Sequence, residues 1–184
     1  MISQNLIYLT GFMTSGKSTI GPILANVLGW DFYDLDKVIQ EKKDMTIVEI
    51  FETHGEDYFR RIEEETLKSI SEGEKVVVAL GGGTLTSSKN LETIKNSGIL
   101  VYLRVTPEIL YKRLKNKIDR PLFKDLVLGE KSEEEFISKI EKLLESREVY
   151  YNQADLIINT DESKIGYTVD RVAKQILGVL NGKN

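Results

Sequence analysis

The sequence predicts an α/β fold of the doubly wound kind: a five-stranded parallel sheet between two helical layers, in three layers α/β/α. Two observations carry this. Short apolar runs rich in β-formers recur five times, and segments of helical length separate them. Such alternation joins parallel strands by right-handed crossovers, which lay helices on both faces of the sheet. A length of 184 residues suits a single domain, taken over residues 1–184.

The strand runs are Asn5 to Gly11 (NLIYLTG), Trp30 to Asp36 (WDFYDLD), Lys75 to Gly83 (KVVVALGGG), Gly98 to Val105 (GILVYLRV) and Ala154 to Thr160 (ADLIINT). Helices are expected over Lys17 to Leu28, Asp36 to Lys43, Ile47 to Thr53, Asp57 to Glu72, Ser88 to Asn96, Pro107 to Asn116, Ser132 to Asn152 and Ile165 to Leu180. Ser132 opens SEEEF, a cap followed by carboxylates suited to the positive end of the helix dipole. Gly98 ends one helix and Pro107 starts the next. Pro22 deletes a backbone hydrogen bond in the first helix and is expected to bend it. Lys117 to Lys131 has no clear period and lies between two helices, the usual place of an active-site lid.

Composition narrows the function. Hydrophobic residues at 41% and charged residues at 29% are ordinary for a globular protein. A net charge of −4 without a long basic block gives no electrostatic footprint for nucleic acid, which favours small-molecule chemistry. Zero cysteines exclude disulfides, thiolate nucleophiles and zinc–thiolate sites. No positive region precedes an apolar run and no 18-residue apolar stretch occurs, so the expectation is a cytoplasmic protein without membrane partners.

The strongest motif is GFMTSGKST, Gly11 to Thr19. Gly11, Gly16, Lys17 and Ser18 fit G-x-x-x-x-G-K-[ST] with a strand before and a helix after, the context of a P-loop. Backbone N–H groups of Thr14, Ser15, Gly16 and Thr19 converge on a phosphate at the positive end of a helix. Lys17 neutralises β and γ charge, and the Ser18 hydroxyl suits Mg²⁺. The motif implies ATP or GTP. Asn116 to Asp119 (NKID) matches a guanine-reading pattern, but it follows a helix and no D-x-x-G follows the third strand, so it is read as coincidence.

Many P-loop proteins end the third strand with a magnesium-binding aspartate, where this chain has LGGG. Asp34 and Asp36, at the end of the second strand, are the candidates instead. Two residues apart on extended backbone they point the same way, one towards the metal and one towards an acceptor hydroxyl. The plainer reading is that Asp36 caps the following helix. Ligands in open parallel sheets bind beyond the carboxyl ends of the strands, which would bring Gly81, Gly82 and Gly83 to the same place. Their N–H groups suit an oxyanion or hydroxyl; a simple turn is the alternative. Arg60 and Glu63 at i and i+3 are either a solvated pair or an arginine oriented by a carboxylate. Arg120, within the lid, and Arg147, late in a long helix, are arginines of the kind that bind a carboxylate or a transferring phosphoryl group. His54 is read as non-catalytic.

Together GFMTSGKSTIG, WDFYDLD, TIVEIFETHGEDYFRRIE, ALGGGT, VYLRV, DRPL, SREVYYNQAD and the NT of IINTDES resemble the shikimate kinases over nearly the whole chain. The resemblance implies a P-loop kinase fold like that of nucleoside monophosphate kinases, with a lid at about 114–128 and an acceptor-binding region at about 34–63. It implies transfer from ATP, with Mg²⁺, to the 3-hydroxyl of shikimate on the route to chorismate and the aromatic amino acids. No exposed heptad seam argues for a coiled-coil dimer, and a monomer is the default expectation. In the family pattern Asp36 takes the hydroxyl proton and Asp34 lies in the outer shell of the metal. Arg60 and Arg147 bind the shikimate carboxylate, Glu63 holds Arg60, and Gly81 to Gly83 contact the ring. Arg120 closes onto the phosphates, Arg113 stacks on adenine, and Tyr151 packs behind Arg147. The chain departs from the pattern at Thr14 and Ser15, at Pro22, and in DESKIG after Thr160, which lacks a proline common there. The rivals are a kinase of gluconate or of a nucleoside monophosphate, and a nucleotide switch without an acceptor.

Overall fold

The computed structural model describes residues 6–116, 132–160 and 165–182. In chain order these form β1 (Leu6–Thr10), α1 (Lys17–Leu28), β2 (Asp31–Asp34), α2 (Leu35–Lys43), α3 (Ile47–His54) and α4 (Glu56–Ser71). Next come β3 (Val76–Ala79), a 3₁₀ turn (Thr84–Thr86), α5 (Ser88–Ser97), β4 (Gly98–Arg104), α6 (Pro107–Leu114), α7 (Glu133–Tyr151), β5 (Leu156–Asn159) and α8 (Ile165–Gly182). The lid expected from Lys117 to Lys131, with Arg120 and most of NKID, lies outside the described residues.

All pairings in the five-stranded sheet are parallel, in the order β2-β3-β1-β4-β5. Sequence alternation divides the core between the two faces. Tyr8, Val78, Leu100 and Tyr102 pack against Leu35 and Ile39 of α2, Ile50 of α3 and Phe59 and Ile62 of α4. Their neighbours Ile7, Leu9, Val77, Val101 and Leu103 face Ile20 and Leu24 of α1 and Val169, Val172 and Ile176 of α8. Strands buried on both faces read as continuous apolar runs, which is why β1, β3 and β4 stand out in the sequence. A third cluster, Phe12, Val105, Leu110, Leu114, Phe136 and Ile140, supports the P-loop from the side of α6 and α7.

Register decides where the site forms. Asp34 pairs with Ala79 and Ala79 with Leu9, so β2, β3 and β1 end at one level. The segments leaving those three ends are the Asp34–Asp36 stretch, the glycine turn and the P-loop.

Helix ends follow local chemistry. Capping boxes start α3 (Thr46 with Glu49) and α7 (Ser132 with Glu135), and Pro107 opens α6. Gly98 begins β4 with extended backbone; a side chain there would run into the Leu6 carbonyl. Helix α1 continues through Pro22, whose side is exposed. The second and third strands are shorter than expected, because β2 is stopped at Asp34 by the cap of α2 and β3 ends before the glycine turn.

Candidate active site

The P-loop is shaped by three residues at positive φ: Gly11 at 143°, Thr14 at 59° and Gly16 at 109°. Gly11 has no alternative, since a Cβ there would lie 2.7 Å from the Leu103 carbonyl oxygen. Thr14 holds the left-handed conformation with a side chain, at a cost of about 1 kcal/mol. Gly16 is the N-cap of α1 and contributes no side-chain cap, so the first turn of that helix opens into the loop. Lys17 crosses the loop, its Nζ donating to the Gly11 and Phe12 carbonyls at 2.7 and 3.0 Å. Beside it the Ser18 hydroxyl donates to Asp34 Oδ2 at 3.1 Å.

Asp34 and Asp36 do not share an extended backbone. Asp34 is extended and caps α2, its Oδ1 accepting from the Lys37 N–H at 3.4 Å, whereas Asp36 lies in the first turn of the helix. The expectation that the two carboxylates point alike because they alternate along a strand is therefore wrong, and so is the reading of Asp36 as the cap. The helix turns them apart: Asp34 towards Ser18, Asp36 towards the glycine turn. Burial, then the charges of Asp34 and Glu63, push the Asp36 carboxyl up from 3.8 to about 6, against the pull of Lys17 and Arg60.

The three glycines each face one charged side chain. A Cβ on Gly81 would lie 2.8 Å from Asp36 Oδ1, on Gly82 3.0 Å from Arg147 Nη1, and on Gly83 2.9 Å from Arg60 Nη2. Helices α2, α4 and α7 thus deliver a carboxylate and two guanidinium groups to one turn. Arg60 is gripped from both sides of its own helix, by Glu63 at 2.9 Å and Glu56 at 3.0 Å. Although burial opposes it, these carboxylates hold the guanidinium above its ordinary pKa. The solvated-pair reading does not hold for Glu63, which is 1% exposed. Arg147 lies over the Phe12 ring at 5.8 Å, and the buried Tyr151 behind it donates a long hydrogen bond, 3.4 Å, to the Gly82 carbonyl.

On the other side of the P-loop, Arg113 donates to the carbonyls of Thr14 (3.0 Å) and Thr160 (3.2 Å). Those residues, with Ser15, Gly16, Thr19 and Thr168, line a pocket of about 220 Å³. A wider cleft of about 690 Å³ is bordered by Glu141, Glu145, Glu148 and Arg104 and by none of the candidate catalytic or ligand-binding side chains. Three carboxylates against one arginine leave its lining net negative, a poor match for a nucleotide phosphate. His54 is exposed and rests against the Tyr58 ring at 4.4 Å, away from this constellation.

The donor set fits a magnesium ion. Among the described residues no group of three or more metal-ligating side chains occurs. Ser18 and Asp34 supply two hard oxygens in contact, and Mg²⁺ takes few protein ligands when phosphates and water supply the rest.

Comparison with known proteins gives this geometry a family. The sequence model described as shikimate kinase matches residues 13–181. The chain belongs to the shikimate kinase family. Relatives of that name include one from Chloroherpeton thalassium, 49% identical over 177 residues that cover 96% of this chain and 94% of the relative, and one from Chlorobaculum parvum at 48% over the same two shares. Shikimate kinase of Bacteroides thetaiotaomicron superposes with a TM-score of 0.82 at 35% identity, covering 92% of this chain and 97% of that one. Shikimate kinase of Acinetobacter baumannii, solved in complex with shikimate, gives 0.79 at 33%, covering 100% and 96%. The P-loop kinase fold and the kinase assignment follow from that membership.

Sequence reasoning missed three contributors to the site. Glu56 stands four residues before Arg60, a spacing from which the contact was readable. Phe12 under Arg147 and Thr84 against Glu63 join residues far apart in the chain and carry no local signal.

Proposed function

We propose that this chain transfers the γ-phosphoryl group of ATP to the 3-hydroxyl of shikimate, giving shikimate 3-phosphate and ADP on the route to chorismate and the aromatic amino acids. The observation that carries the reading is the glycine turn faced by Asp36, Arg147 and Arg60. A small carbocyclic acid needs a cationic clamp for its carboxylate and a carboxylate for its hydroxyls, with no side chain between them.

In this reading Arg60 and Arg147 hold the carboxylate, and Glu63 fixes Arg60. Gly81, Gly82 and Gly83 leave room for the ring. Asp36 accepts the proton of the 3-hydroxyl as that oxygen bonds to the γ-phosphorus; the bond to the bridging oxygen breaks and ADP leaves. Charge on the phosphoryl group is met by Lys17 and by Arg120, which lies outside the described residues. Gly11 and the N–H groups of Thr14, Ser15, Gly16 and Thr19 cradle the phosphates, and Arg113 borders the adenine. Ser18 and, through water, Asp34 would hold Mg²⁺, which when bound neutralises phosphate charge. The same proposal takes residues 1–184 as one kinase domain, with the lid at about 114–128, acting as a cytoplasmic monomer.

The test is ADP release from Mg-ATP with no acceptor, shikimate, quinate, gluconate or CMP. Acceleration by shikimate alone is the expected result. Acceleration by another acceptor, or by none, would overturn the assignment of substrate.

A further inference from the structure

The Arg60–Glu63 pair is tied to the glycine turn by the hydroxyl of Thr84, the residue that ends ALGGGT and to which the sequence reading gave no role. Glu63 uses its two oxygens in different directions: Oε2 accepts from Arg60 Nη1 at 2.9 Å, and Oε1 accepts from Thr84 Oγ1 at 2.7 Å. Thr84 follows Gly83 directly, opens the 3₁₀ turn and is fully buried at 0% exposure. Its N–H donates to the Gly81 carbonyl at 3.3 Å, and its own carbonyl accepts from Asn90 Nδ2 at 3.1 Å. The contacts close a ring: Gly83 stands against Arg60, Arg60 bonds Glu63, Glu63 bonds Thr84, and Thr84 is the next residue after Gly83.

Two features make the ring directional. A guanidinium has five N–H donors, of which three are engaged among the described residues, Nε and Nη2 by Glu56 and Nη1 by Glu63. One N–H on each terminal nitrogen is left over, the pair that a carboxylate takes bidentately. Glu56 fixes the Nε side of the group and Glu63 fixes its Nη1 end, so where that pair points depends in part on the rotation of the Glu63 carboxylate, and a carboxylate bonded through one oxygen only can swing about its terminal torsion. The Thr84 hydroxyl removes that freedom by holding the second oxygen.

We propose that Thr84 is a positioning residue for the acceptor, acting through Glu63 to aim Arg60 at the shikimate carboxylate. The inference rests on the reading of Arg60 as a carboxylate-binding residue. A hydroxyl that merely satisfied a buried oxygen would contribute to stability and leave the balance between the two substrates untouched. A hydroxyl that aims Arg60 affects the acceptor and spares the nucleotide, whose phosphates the same reading assigns to the P-loop.

The experiment is steady-state kinetics of the full chain with shikimate and Mg-ATP varied in turn, for Thr84→Val, Thr84→Ser and Arg60→Lys, with a thermal melt of each. Thr84→Val keeps the shape and loses the donor; it should raise the shikimate KM roughly three- to tenfold while the ATP KM stays within about twofold. Thr84→Ser should return the shikimate KM to within about twofold of the parent. An unchanged shikimate KM in Thr84→Val, or equal rises in both KM values, overturns the inference. If Thr84→Val does not fold, Thr84→Cys, with a weaker donor, is expected to show the same selective rise, and its absence overturns the inference equally. Arg60→Lys separates the two levels. If it raises the shikimate KM and Thr84→Val does not, only the role of Thr84 falls; if it does not, the carboxylate reading and the role of Thr84 fall together.

Discussion

Asp36 and Gly81 meet so closely that a Cβ on the glycine would lie 2.8 Å from Asp36 Oδ1. The nearest obstructing atom is the end of a side chain, with Thr84 Oγ1 next at 3.2 Å, so Gly81→Ala is expected to rotate the carboxylate and press lightly on Thr84 rather than disrupt the turn. Stability should fall by less than about 1–2 kcal/mol, whereas kcat should fall on the order of tenfold or more, because a general base works only within hydrogen-bond reach of its proton. Chemical denaturation beside steady-state kinetics checks this; a variant that loses stability and keeps kcat would show that the turn, not Asp36, gives way.

The environment that places Asp36 also sets its titration. Its pKa is pushed from 3.8 up to about 6, by burial first and then by Asp34 and Glu63. A raised folded-state pKa means that the folded protein holds the proton more tightly than the unfolded chain. Stability from this group is therefore fully present below pH 3.8 and is lost as pH rises through about 6. Asp36→Asn should stabilise the protein above pH 7 by up to roughly 3 kcal/mol, with the gain fading towards pH 4. Melts of both proteins across that range decide it; a gain independent of pH would refute the linkage. The same variant should lose about 10²–10⁴-fold in kcat, and the parent enzyme should show an acid limb near pH 6 in kcat/KM.

Much of this site is legible in the sequence because its parts are local. Gly11 to Ser18 form a motif whose meaning is fixed by the strand before and the helix after, and the apolar runs of β1, β3 and β4 are continuous because both faces are buried. What the sequence hides is the point where periodicity changes. Asp34 and Asp36 read as alternate residues of a strand, but the side chain of Asp34 bonds the Lys37 N–H and starts a helix, which redirects Asp36 by a turn. The contact between Thr84 and Glu63 is equally invisible, since the two residues are 21 apart and meet only when α4 packs beside the glycine turn.

Ser18 and Asp34 give a prediction on the metal side. Their contact at 3.1 Å joins the P-loop hydroxyl to a carboxylate that caps α2. Asp34→Asn keeps a capping oxygen and removes the charge, so the helix should persist. The Mg²⁺ concentration needed for half-maximal activity should rise about 10–100-fold, the range seen when outer-shell partners are lost. A magnesium titration at saturating ATP and shikimate measures it, and an unchanged midpoint would remove Asp34 from the metal's surroundings.

Arg60 and Arg147 reach the same turn from different helices, α4 and α7, against adjacent glycines. Each is held by its own support, Glu56 and Glu63 for the first, the Phe12 ring for the second. Lysine in either place keeps the charge and loses the planar fork, so Arg147→Lys alone should raise the shikimate KM about tenfold or more with the ATP KM unchanged. If both arginines grip one carboxylate, the first substitution already loosens what the second would release. The double variant Arg60→Lys with Arg147→Lys should then lose less than the sum of the single losses, by about 0.5–3 kcal/mol of coupling. Strict additivity would mean that the two guanidinium groups act on different parts of the acceptor.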